Sequence, residues 1–164
     1  MPVKGLDGIL KDRTNKHTIR NIMKTINWKR AILAGFIGTI LFDLAGLLFT
    51  GTWWDIPGIL GAKTGLGLTY GVIGHYSNGV LLAILFAGIA PSLWGPKWAR
   101  AITFVVAETI ALVWFFMLPL LGAGIAGLDM DPLMPVITLL RHIAYAIPLI
   151  ILINYDVQNP LYKS

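Results

Sequence analysis

Five ionisable side chains stand inside long apolar runs of this sequence: Asp43, His75, Glu108, Arg141 and His142. A charge at the centre of a hydrocarbon-embedded helix costs about 2.5–3.5 kcal/mol on insertion scales, so such residues persist where they pair, bind or move something. Two histidines on different helices are the ligand set of a b-type haem, which makes His75 and His142 candidate axial ligands. With Asp43 and Glu108 the same residues could relay protons or line a site for a quinone or another small ligand. A metal held by His75, His142 and an outer-loop carboxylate is chemically reasonable, but no short ligand motif supports one, and neither a metal nor any other cofactor is predicted. The plainest reading, and the one placed first, is structural: a satisfied polar layer that fixes helix register.

Depth decides which of these groups can meet. At about 1.5 Å of rise per residue, Asp43 lies roughly 18 Å from the inner end of its run, while His75 lies about 8 Å and His142 about 9–10 Å from the outer ends. Those three and Arg141 are expected in one layer of the outer leaflet, with Glu108 an isolated acid nearer the inner side. An Asp43–His75 or Asp43–Arg141 pair is expected, with Asp129 or Asp131 as further counter-charges to the cations.

The elements that carry these residues are four apolar runs, about 31–50, 70–90, 101–121 and 135–153, each near the ~20 residues that span a bilayer. The chain has 164 residues, is 56% hydrophobic and 13% charged, and has a mean hydropathy of +0.73. That is half the charge of a soluble domain. The expected architecture is therefore an all-α integral membrane protein: a four-helix transmembrane bundle, 31–153, between a basic arm, 1–30, and a short tail, 154–164. The net charge of +5 does not point to nucleic acid. Lys4, Lys11, Arg13, Lys16, Arg20, Lys24, Lys29 and Arg30 precede the first run, and Lys97, Arg100 and Lys163 fall on the same side as these. The opposite side holds Lys63, with Arg141 just inside a run. By the positive-inside rule both termini face the cytoplasm, which in a bacterium means the inner membrane. Trp53, Trp54, Trp94 and Trp98 fall where an interfacial aromatic belt is expected.

In the arm, Ile19, Ile22, Met23 and Ile26 recur at helical spacing among Arg20, Lys24 and Lys29. This predicts an amphipathic helix lying on the membrane face or docking on a partner, or a basic anchor that only fixes topology. The arm is too long and too charged for a signal peptide, and no small-residue cleavage site follows the first apolar run. Small residues at steps of four predict close helix packing: Gly35 and Thr39 leading to Asp43, Gly79, Ala83 and Ala87 below His75, and Ala107 and Ala111 beside Glu108. An internal repeat is also readable. RAILAGFIGTI (30–40) aligns with RAITFVVAETI (100–110), each followed by an Asp-Pro helix start, DIP (55–57) and MDP (130–132), and then by His75 or His142. Two tandem helical hairpins follow from it.

No Walker-type phosphate loop, HExxH or GxSxG occurs, and cysteine is absent. The segments AGFIGT (34–39), Asp43, DIPGILG (55–61) and GHYSNGVLLAILFAG (74–88) resemble a family of small, four-span bacterial membrane proteins of unknown function. The resemblance covers about residues 30–90 and implies a fold and no chemistry. The expected function is that of a non-catalytic small subunit packed into a larger energy-converting membrane complex, respiratory or photosynthetic. Its partners would be membrane lipids and other integral subunits. The alternatives are an autonomous haem-, quinone- or proton-handling protein, and a homodimeric carrier.

Overall fold

A computed structural model of the chain describes residues 26–154. Of the arm's apolar positions, Ile19, Ile22 and Met23 lie outside the described residues, while Ile26 packs against the main core. Among the described residues the regular structure is all helical: α1 (Trp28–Thr50), α2 (Asp55–Thr64), α3 (Gly67–Ile89), α4 (Lys97–Leu120) and α5 (Met134–Leu152). Four of these, α1, α3, α4 and α5, are long and apolar enough to cross a membrane.

Local chemistry sets the ends. The Asn27 side chain accepts from the Arg30 amide at 3.1 Å, an N-cap that starts α1 ahead of the apolar run. Gly51, at φ +68°, stops α1 in the left-handed conformation glycine adopts without a Cβ penalty. Asp55 opens α2, its carboxylate accepting from the Ile56 amide at 2.7 Å. The second Asp-Pro start behaves differently. Asp131 accepts from Leu133 N at 2.7 Å, but α5 follows directly at Met134 and no counterpart of α2 forms. Within α4 the backbone winds as a π-helix from Thr109 to Met117. Thr109 turns its hydroxyl back to the Val105 carbonyl at 2.6 Å at the start of this stretch, and Pro119, which has no N–H to give, follows its end.

α1 and α3 have no distinct polar face, so they sort residues by size. Ala31, Ala34, Gly35, Gly38 and Thr39 of α1 and Gly79, Ala83 and Ala87 of α3 are buried, whereas Phe36, Leu48, Ile73 and Leu81 face outward. This is packing by close backbone approach. A Cβ on Gly79 would overlap the Thr39 hydroxyl, and one on Gly35 would come within 2.6 Å of the Val80 Cα. Ala107 and Ala111 do not take part; both are exposed on α4.

α1 is the central helix, packed on α3 along one side and most extensively on α5 along the other, while α4 packs on α5. The short α2 lies on α3, where a Cβ on Gly71 would overlap the Pro57 carbonyl. α3 and α4 meet sparsely; the Phe86 and Phe104 rings are 5.3 Å apart. A bundle obeying the sequence repeat would make α3–α4 as extensive as α1–α5, so the repeat is not reproduced in the packing. It survives locally, since Thr39 bonds the Gly35 carbonyl at 2.8 Å as its aligned residue Thr109 bonds Val105. Lys97 and Arg100, at the start of α4, share one end of the bundle with Trp28 and Asn154, here termed the basic end.

Candidate functional site

The five ionisable side chains of the apolar runs enter three ties, each joining two helices. In the first, Asp43 of α1, 1% exposed, accepts from two consecutive residues of α3: His75 Nε2 stands 3.0 Å from Oδ1, and the Tyr76 hydroxyl donates to Oδ2 at 3.1 Å. Consecutive residues on a helix diverge by about 100°, so the carboxylate sits between them and fixes the rotation of α3 about its axis.

In the second tie, Arg141 of α5 reaches Asp55 of α2 through a two-bond fork, Nη1 to Oδ2 at 2.7 Å and Nη2 to Oδ1 at 2.8 Å. The guanidinium carbon lies 4.3 Å above the Phe42 ring, within cation–π range. To get there it crosses α1 at Gly46, where a Cβ would overlap the guanidinium. Partial burial pushes the Asp55 carboxyl up, but the Arg141 hydrogen bonds and charge, aided by the Ile56 amide, hold it below its ordinary value.

In the third tie, His142 of α5 places Nε2 3.4 Å from the Glu108 carboxylate of α4. Its Nδ1 is 2.7 Å from the Thr138 carbonyl oxygen. A carbonyl only accepts, so Nδ1 carries a proton, and Nε2 is the ring nitrogen that faces the Glu108 carboxyl. The Thr138 hydroxyl in turn accepts from Trp114 Nε1 at 2.9 Å, a further α4–α5 link. Phe42 packs against both imidazoles, its ring centroid 5.4 Å from His75 and 4.9 Å from His142.

The Asp43–His75 contact is one of the two pairs expected from the sequence. Two other expectations are corrected. Arg141 is not paired with Asp43, Asp129 or Asp131, because Asp55, at the start of α2, is folded over α1 toward α5. Glu108 is not isolated. α4 begins at Lys97 rather than at the first apolar residue, which places Glu108 about 16 Å from the basic end, and His142 is about 15 Å from the end of α5 at Leu152. Asp43 and His75 stand higher, at about 22 and 21 Å. The layer is thus two levels, each holding one acid and one histidine. Sequence reasoning misses Tyr76 and Asp55 as members. Tyr76 has only its adjacency to His75 to mark it, and Asp55 reads in the sequence as a helix start.

As placed, the histidines do not fit a bis-imidazole haem. Both Nε2 atoms face carboxylates, and the Phe42 ring packs against both imidazoles. Among the described residues no three His, Asp or Glu side chains converge as a metal-ion cluster. Comparison with family models, curated proteins and solved structures gives no match.

Proposed function

We propose that the chain is a small, non-catalytic integral membrane subunit that packs into and stabilises a larger energy-converting assembly, respiratory or photosynthetic. It would reside in a bacterial inner membrane with both termini cytoplasmic and be bathed in bound lipid. The observation that carries this reading is that the buried ionisable groups are spent in ties between helices: α1 to α3 through Asp43, α2 to α5 through Arg141, and α4 to α5 through Glu108. Groups used in this way fix register, a role in which buried polar residues are well attested. The large apolar side chains on the outer faces, Phe115, Phe116 and Leu112 of α4 among them, suit contact with lipid or neighbouring subunits. The decisive experiment is native size after extraction from the organism's own membranes in mild detergent, with co-migrating chains identified by mass spectrometry. Stoichiometric co-migration with a large complex is expected; migration only as a monomer or dimer would overturn the subunit reading.

A second reading, autonomous proton handling, is favoured by one observation: an imidazole Nε2 and a carboxyl, each able to carry a proton, stand 3.4 Å apart near the middle of two helices. Reconstituted vesicles under a potassium diffusion potential test it. Proton flux present in the native chain and lost in Glu108→Gln supports it, and flux no greater than in empty vesicles removes it.

A further inference from the structure

Asn78 is the middle residue of α3, eleven positions from Gly67 and eleven from Ile89. It is exposed, and among the described residues its amide has no hydrogen-bond partner. In the hydrocarbon that a helix of this kind is fit to cross there is no water to satisfy that amide, the described residues do not satisfy it either, and an unsatisfied amide in an apolar medium is costly. One turn toward α2, Gly74 supplies an independent observation. A Cβ added there would meet nothing within 4 Å, whereas Gly71 and Gly79 on the same helix are crowded by Pro57 and Thr39. The smallness of Gly71 and Gly79 is used inside the chain; that of Gly74 is not. Leu81 and Leu85, 63% and 50% exposed, complete the series.

Gly74, Asn78, Leu81 and Leu85 follow one another at steps of four, three and four, the spacing of a left-handed two-helix seam. The seam faces away from α1, whose contacts with α3 run through Gly79 and Ala83. We infer that α3 docks on α3 of a second copy of this chain, in a parallel twofold contact centred on Asn78. The chemistry selects a copy over another partner. A carboxamide carries both donor and acceptor, so it is complementary to itself across a twofold axis along the bundle. Copies inserted with the same orientation bring the two Asn78 side chains to the same depth. Gly74 lets the backbones approach at one end of the seam, and a lone polar residue in an apolar seam sets register and pairing number. The inference goes beyond the proposed function and holds for a subunit or an autonomous protein alike.

The absence of cysteine makes the test direct. Single-cysteine chains carrying Gly74→Cys, Leu81→Cys or Leu85→Cys, with Ile73→Cys and Phe116→Cys as exposed positions off the seam, are oxidised in native membranes. Disulfide dimers are expected at the three seam positions and not at the two controls. In lipid, Asn78→Leu should weaken dimerisation roughly three- to tenfold, the scale of one interhelical amide pair, with Asn78→Gln keeping most of it. Thermal unfolding of each variant confirms that the bundle itself is intact. Cross-linking equal at all five positions, absent from the seam, or trapping a different polypeptide there would overturn the inference, as would an Asn78→Leu chain that dimerises like the native one.

Discussion

The Arg141 guanidinium grips the Asp55 carboxylate in a two-bond fork across 86 residues of sequence, and it reaches over α1 through the gap that Gly46 leaves. The pair holds the short α2 down on the bundle and ties the last helix to the first loop. Because Arg141 is 3% and Asp55 16% exposed at the side chain, breaking the pair strands a charge with little water to receive it. Asp55→Asn should lower unfolding stability in detergent by roughly 2–3 kcal/mol, and Arg141→Met by a similar amount. The double variant Asp55→Leu/Arg141→Met should lose less than either single, because no unpaired charge remains. Additive losses in thermal unfolding would show that the pair does not act as a unit.

The same pair predicts an acid-side transition. The folded-state pKa of Asp55 is depressed, so its contribution is fully present above the unfolded value, about 3.9, and is lost as pH falls through the lower folded value. Melting temperature measured against pH should lose the Asp55 contribution only on the acid side of that value. The Asp55→Asn chain, already lower, should lack this component of the acid fall. Parallel curves for the two chains would remove Asp55 as its source.

Packing gives a sharper contrast between two glycines. Gly79→Ala drives a methyl into the Thr39 hydroxyl, which is pinned to the Gly35 carbonyl, so α1 and α3 must separate. A loss of about 1–3 kcal/mol is expected for overpacking of this kind. In α2, Gly58 has open space around its would-be Cβ, and Gly58→Ala should be stabilising by roughly 0.5–1 kcal/mol from helix propensity. Equal effects at the two positions, read from unfolding in one detergent, would contradict the α1–α3 contact.

Glu108 stands 3.4 Å from His142 Nε2, and the variants at Glu108 report how this pair is protonated. The carboxamide introduced by Glu108→Gln can donate to His142 Nε2 as a protonated acid would, so this variant should stay within about 1 kcal/mol of the native chain. Glu108→Ala, which leaves Nε2 without a partner, should lose more. If Glu108→Gln is as damaging as Glu108→Ala, the proton sits on His142 and the tie is an ion pair.

Tyr145 offers a single-atom test of the α3–α5 link. Its hydroxyl donates to the Gly79 carbonyl at 2.6 Å, and its ring lies against Gly38. Tyr145→Phe keeps the ring and removes only that bond, with an expected loss of about 0.5–1.5 kcal/mol. A loss below the error of the unfolding measurement would place the weight of this contact on the ring instead.

Much of the fold is legible in the sequence. Runs of about 20 apolar residues locate the four long helices because helical rise and bilayer thickness are fixed quantities. Gly35, Thr39, Gly79 and Ala83 can be read as a packing face because only small residues allow that approach. The same rule misleads at Ala107 and Ala111, where small residues face outward and spacing alone does not reveal which way a face turns. The Asp43–His75 contact follows from depth. Tyr76 does not, because adjacency along a helix does not disclose that one carboxylate oxygen is left for a second donor.

By itself the sequence determined the length and apolarity of the long helices, along with the ionisable residues inside apolar runs that needed partners, because hydrophobic period and charge cost are local properties. The tertiary structure decided the partners. Arg141 chose Asp55 over Asp43 because α2 folds across α1, and Glu108 met His142 because α4 starts at Lys97 and rests on α5. It also decided that α1 would join the two hairpins while α3 and α4 stay apart, which no repeat in the sequence foretold. Partner choice depends on helix tilt, rotation and the few ångströms a glycine yields, and those are fixed only when all the helices pack together.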